Sequence, residues 1–371
     1  MKFVVPYNYL PFEFNKKNSN RIFVDWNNLI KKTDFTLGYY VEKFEKKFAK
    51  YVGAKYCVAT NNGTDALILS LKSLGVCKGD EVITVANTFY ATAGAIAACG
   101  AKPILVDCDD RFQIDPDKIK KNITKKTKVI LPVHWGGASP QMKKIMKIAK
   151  NYKIKVVEDA CMGIGGKLNG KSPGTFGDIG AFSMHPLKSL NVMGDGGMVV
   201  TNNKNIYLWI KKYRNHGMRD RDHIDFWGVN MRIQPLQAIV ALNRLKEINK
   251  TISERNINAL FLDKALKTLY PNVILPERLK NNLETFSLYM CLVKNRNNLL
   301  KFLHKNKIEA KIHYPVSLNK QKASNYLKLN QKDFKNVNHQ SKNIITLPVH
   351  QYLSKQQLNF MVNKISEFYD K

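Results

Sequence analysis

Between about residues 35 and 205, short apolar runs of strand length alternate with stretches in which apolar side chains recur every three to four positions. The runs Tyr56–Ala59, Val82–Val85, Pro103–Val106, Val129–Val133 and Lys155–Asp159 predict strands. Phe44, Phe48 and Tyr51 mark one helix face, and Thr64–Leu74, Ala91–Cys99 and Met142–Asn151 predict further helices. Strands and helices in alternation give a mostly parallel sheet covered by helices, so the fold class is α/β. Ile179–Ser183 and Gly197–Thr201 lie among glycine-rich turns and read as two more buried strands. Leu236–Asn249 and the stretch after it predict one long helical run that links two domains. Past residue 250 a charged, Asn- and Lys-rich alternation of helix and short strand ends in the amphipathic Gln356–Tyr369. Internal repeats and low-complexity tracts are absent from the sequence.

Length changes this picture only by dividing it. A chain of 371 residues exceeds what one hydrophobic core usually supports, which implies a large domain and a smaller one. No uncharged apolar stretch approaches the roughly 18 residues of a membrane span, and Met1–Phe14 lacks the order of a signal peptide, so a cytoplasmic protein is expected. The six cysteines follow no paired spacing with one another or with histidines, which argues against zinc, any other metal centre and disulfides; they read as small buried apolar residues, Cys161 included. The net charge of +31 would suit a polyanion. The lysines, however, spread along the chain at spacings of solvated helix faces (Lys143, Lys144 and Lys147, for example), so the reading is against nucleic acid and in favour of a surface that attracts a diphosphate-bearing substrate.

Three segments carry candidate chemistry. Asn62-Gly63-Thr64-Asp65 puts a glycine, a hydroxyl and free backbone N–H groups where a strand turns into a helix, a ready phosphate site, although a plain N-cap by Thr64 fits equally well. Glu158-Asp159 ends a buried strand, where open α/β sheets bind ligands; an acid there could pair with a protonated ring nitrogen or simply cap the next turn. Ser183 and Lys188 stand five residues apart on a loop between two buried strands, followed by Gly194-Asp195-Gly196-Gly197. A partly desolvated lysine in such a loop has a lowered pKa and can form a Schiff base, with Ser183 placed to hold a phosphate; His185 reads as a packing residue.

These segments, together with Arg214-Asn215-His216-Gly217, Asn230-Met231-Arg232, Leu236-Gln237-Ala238 and the C-terminal His313-Tyr314-Pro315, resemble in order and spacing the DegT/DnrJ/EryC1/StrS family of sugar aminotransferases, over nearly the whole chain. The resemblance implies the type I fold of enzymes that use pyridoxal 5'-phosphate (PLP), with a large PLP-binding domain over 1–248 and a smaller α+β domain over 249–371, the N-terminal segment free to pack on the latter. It implies Lys188 as the catalytic lysine that carries the cofactor and moves the proton, Asp159 at the pyridine nitrogen, and Phe89 stacked on the ring, where pattern alone would make it a core aromatic. Gly63, Thr64 and Ser183 would bind the phosphate, and Asn230 would reach it from a neighbouring subunit, which makes the protein a homodimer.

The implied reaction moves an amino group from L-glutamate to a nucleotide-diphospho-keto-sugar, in the biosynthesis of cell-surface polysaccharide or glycosylated metabolites; Arg219 or Arg232 could help seat the anionic groups. Two departures bear on the pocket. Met162 replaces a glutamine common near the cofactor's phenolic oxygen, and His134-Trp135-Gly136-Gly137 replaces a His-aliphatic-Tyr-Gly pattern. Alternatives within the family are a sugar dehydratase, which has histidine where this chain has Lys188, and a non-catalytic regulatory relative.

Overall fold

The computed structural model describes residues 3–370, with backbone only for 17 and 18. Its centre is a seven-stranded sheet in the spatial order Tyr56–Thr60, Gly197–Thr201, Ile179–Ser183, Lys155–Asp159, Thr127–Leu131, Glu81–Val85, Lys102–Val106. The last five run parallel, whereas Gly197–Thr201 is antiparallel to both of its neighbours. Ile179–Ser183 and Gly197–Thr201 are buried along their whole length, as strands covered on both faces must be, which is why they read as continuous apolar runs rather than alternations. One face carries Phe44, Phe48 and Phe182, the last two rings meeting edge-on at 5.1 Å; the other carries Leu67, Leu69 and Val199. Each such side chain contributes about 1.5–3 kcal/mol by leaving water.

Helix Met142–Tyr152 shows how the lysines are disposed. Met142, Ile145 and Ala149 face the core while Lys143 and Lys144 face solvent, and Lys153 closes the helix in the left-handed region at φ 53°. The expected single helical run after Leu236 is instead two helices, Pro235–Arg244 and Ile248–Leu266. The proline starts the first at a position where its missing N–H is harmless. The second leads to a three-stranded antiparallel sheet, Ile344–Leu347, Tyr289–Val293 and Val273–Ile274, whose core gathers Tyr289, Leu303, Ile345 and Met361.

Residues 4–9 lie along this second sheet's surroundings. The Val4 and Val5 N–H groups donate to the Lys307 carbonyl, Glu309 N–H donates to the Val5 carbonyl, and His350 Nε2 lies 3.0 Å from the Pro6 carbonyl. All six cysteines are free, but they are not uniformly buried: Cys77 is exposed in a turn and Cys161 borders a cavity, because both sit beyond the ends of regular elements. Among the described residues no helix is long and apolar enough to cross a membrane.

Candidate active site

At the carboxyl ends of the parallel strands lies a cavity of about 310 Å³, the position at which open α/β sheets bind ligands. Gly63, Thr64, Phe89, Asp159, Met162, Ser183 and Lys188 all border it.

Lys188 sits on a loop pinned at several points. Its N–H donates to the His185 carbonyl at 2.8 Å, its carbonyl accepts from the Tyr9 hydroxyl at 2.9 Å, and Asn191 Nδ2 donates to the Pro186 carbonyl at 2.8 Å. The residue is partly buried and borders the cavity. Burial therefore pushes it below the ordinary lysine range, while Cys161 and Asp159 act in the opposite sense. His185 Nδ1 accepts from the Leu187 N–H at 3.3 Å, which leaves the proton of the neutral ring on Nε2; burial and then Lys188 lower its pKa.

The opposite wall is the start of helix Gly63–Ser73. Asn62, not Thr64, is its N-cap, accepting from Asp65 N–H at 2.8 Å. This frees the Thr64 hydroxyl, and the first-turn N–H groups have no acceptor within the helix. A Cβ at Gly63 would stand 2.7 Å from Ser183 Cβ and 3.1 Å from Ser183 Oγ. The bare glycine thus leaves a close cradle of N–H groups and two hydroxyls at the positive end of a helix, which fits a phosphate.

Asp159 is the last residue of its strand. Its Oδ2 accepts from Thr92 Oγ1 at 2.8 Å and its Oδ1 from the Cys161 N–H at 3.2 Å. Successive residues of a strand point to opposite faces, so Glu158 turns away. It is fully buried and accepts from the N–H groups of Gly174, Phe176 and Gly177, with His134 Nε2 at 2.8 Å from its Oε2. Phe89 is not a core aromatic: it is 46% exposed, with Tyr90 and Tyr314 rings at 5.2 and 6.1 Å, and it borders the cavity. Met162 offers only its thioether to the cavity, its carbonyl being taken by the hydroxyls of Thr285 and Ser287 at 2.6 and 3.0 Å. Trp135 fills the neighbouring wall, buried.

Asn230 is outside this group. It is exposed, it does not border its own chain's cavity, and its Oδ1 accepts from Arg232 Nε at 3.0 Å. Arg219 is exposed as well and ion-paired to Asp220 at 3.4 Å. Sequence reasoning missed Tyr7, Thr88, Ser287, His313 and Tyr314 as lining residues, and Thr92 behind them. His313 faces Lys188 and is held at Nδ1, 3.0 Å from Thr346 Oγ1; burial, then Lys188 and Lys311, lower its pKa to about 4. His313 and Tyr314 lie in a segment that the sequence singles out, and the Thr88/Thr92 pair at i,i+4 is a further local signal.

Comparison with known proteins agrees with this geometry. The chain is 34% identical over 345 residues (92% of it, 93% of the relative) to a pleiotropic regulatory protein of Geobacillus stearothermophilus. It is also 34% identical over 357 residues (96% and 97%) to a dTDP-3-amino-3,6-dideoxy-alpha-D-galactopyranose transaminase of Aneurinibacillus thermoaerophilus. Among solved structures, NtdA of Bacillus subtilis with bound cofactor PMP superposes with a TM-score of 0.92 at 29% identity, covering 99% of this chain and 85% of that one. With the family model matching residues 17–366, the chain belongs to the DegT/DnrJ/EryC1/StrS aminotransferase family.

Proposed function

We propose that this protein transfers the amino group of L-glutamate to a keto sugar carried on a nucleoside diphosphate, with PLP seated in the cavity described above. The observation that carries this reading is a lysine of lowered pKa sharing one cavity with a carboxylate and an open helix N-terminus. PLP supplies an electron sink for charge developing at the substrate carbon, and a place to keep the amino group between the two half-reactions. The chain supplies the rest. Lys188, neutral more readily than a surface lysine, is the nucleophile that secures the cofactor and then the base and acid that moves a proton at the reacting carbon. Asp159 answers a positive ring nitrogen; Phe89 gives the ring a flat apolar wall; Gly63, Thr64 and Ser183 take the phosphate.

Asn230, exposed and outside its own chain's cavity, is assigned to the phosphate of a second copy, so the working unit is a homodimer. The net charge of +31 favours capture of a diphosphate-bearing substrate. A cytoplasmic setting in the assembly of cell-surface polysaccharide or glycosylated metabolites, and a division into domains at residues 248 and 249, belong to the same proposal. A dehydratase is disfavoured by Lys188 itself, and a purely regulatory role by the joint presence of Lys188, Asp159 and Ser183 around one cavity.

The test is an absorbance spectrum of the PLP-loaded protein before and after L-glutamate, beside Lys188→Ala. A yellow band that glutamate bleaches, and that the variant does not form, is expected; a protein that takes up no PLP overturns the reading.

A further inference from the structure

Beneath the cavity wall two threonine hydroxyls stand in line with Asp159. Thr92 Oγ1 lies 2.8 Å from Asp159 Oδ2, and Thr88 Oγ1 lies 3.0 Å from Thr92 Oγ1; all three residues are buried. Thr88 borders the cavity and Thr92 does not. A hydroxyl has one proton to give, and an ionised carboxylate only accepts. Thr92 therefore spends its proton on Asp159, and the contact with Thr88 can be made only if Thr88 donates.

From this geometry we infer that Thr92 is a positioning residue, the middle of a one-way chain of donors from Thr88 through Thr92 to Asp159 that holds the carboxylate charged and aimed, and leaves Thr88 offering only acceptor lone pairs to the cavity. The Cys161 N–H on Oδ1 fixes the other oxygen, so rotation of the carboxylate is blocked from both sides. The chain's direction depends on the charge: a protonated Asp159 could donate to Thr92 and reverse it. Valine at 92 keeps the shape but removes the donor, so the carboxylate is no longer held in place, its contact with a ring nitrogen facing it weakens, and that nitrogen gives up its proton more readily.

This inference rests on the assignment of Asp159 to the ring nitrogen, and the test separates the two. Holoenzyme is loaded with PLP labelled with nitrogen-15 in the ring, and the nitrogen resonance is followed against pH in the wild type, Thr92→Val, Thr92→Ser and Asp159→Asn. For Thr92→Val the nitrogen is expected to lose its proton about one pH unit lower, with PLP bound about tenfold more weakly, and Thr92→Ser restores both. If Asp159→Asn moves the resonance and Thr92→Val superposes on the wild type, the chain of donors is refuted. If Asp159→Asn itself moves nothing, the assignment of Asp159 falls and this inference with it. Should Thr92→Val fail to fold, Thr88→Val decides: a smaller shift of the same sign supports the chain, and none overturns it.

Discussion

A single methyl group added at residue 63 measures how much the phosphate cradle depends on close approach. In Gly63→Ala the new Cβ meets Ser183 Cβ at 2.7 Å, Ser183 Oγ at 3.1 Å and Cys161 Sγ at 3.3 Å. Carbon atoms pack best at roughly 3.5–4.0 Å, so Ser183 must retreat by several tenths of an ångström or more. Overpacking of this kind costs about 1–3 kcal/mol. Alanine is the better helix former by about 0.5–1 kcal/mol, and residue 63 opens a helix, so the folded protein recovers part of that loss. The proposed phosphate site does not, because both the Ser183 hydroxyl and the open N–H groups are displaced. The expected outcome is a PLP dissociation constant raised roughly five- to a hundredfold, with the apoprotein destabilised by no more than about 2.5 kcal/mol. Gly53→Ala is the control. Gly53 has φ 80° and no heavy atom within 4 Å of a Cβ, so alanine there strains the backbone by about 1–2 kcal/mol without touching the cavity. Fluorescence titration of both apoproteins with PLP reads the difference. A Gly63→Ala protein that binds PLP within twofold of the wild type, or two variants that weaken it equally, would refute the cradle.

Lys188 binds its proton less tightly folded than unfolded, so between the lowered folded value and the unfolded value near 10.4 the unfolded chain holds more protons, and apoprotein stability rises with pH. In Lys188→Met that rise is absent from denaturant midpoints measured across the alkaline range. His313 titrates at about 4 in the fold against 6.5 unfolded; the same sign applies, and stability climbs from pH 4 to 6.5 by up to about 3 kcal/mol. His350, also lowered to about 4, adds to that slope, so His313→Gln should flatten it only in part. Glu158→Gln faces amide hydrogens against the N–H groups of Gly174, Phe176 and Gly177; a loss of about 3 kcal/mol in urea denaturation is expected, and a change within error would show that these bonds are replaceable.

Much of the architecture was legible because short, largely apolar runs such as Val82–Val85 and Ile179–Ser183 are too short for helices and too continuous for a half-exposed sheet. The break in the helical run at residues 245–247 was not, since Leu245, Lys246 and Glu247 are all acceptable helix residues and only tertiary packing turns the chain there. Ser183 and Lys188 were found because a buried strand ends in the first and the loop that follows presents the second. Glu158 and Asp159 could have been told apart by strand periodicity alone, one for the cavity and one for the fold. His313 and Tyr314 stood out only through the resemblance, which gave them no role in the site, whereas Ser287 and Tyr7 come to the cavity from distant stretches with no local pattern to mark them.

Residues 4–9 belong to that last class, and this sets a timetable. Tyr9 reaches Lys188, while Pro6 meets His350, 344 residues later in the chain. At roughly 5–20 residues per second of synthesis, the early segment waits tens of seconds before its late partner leaves the ribosome. Until then the hydrogen bond between His350 and the Pro6 carbonyl cannot form, and the segment that carries Tyr9 lacks that anchor. Assembly of the surroundings of Lys188 is thus tied to completion of the chain, and a polypeptide that ended before His350 would carry Lys188 without one of the contacts that anchor the Tyr9 segment.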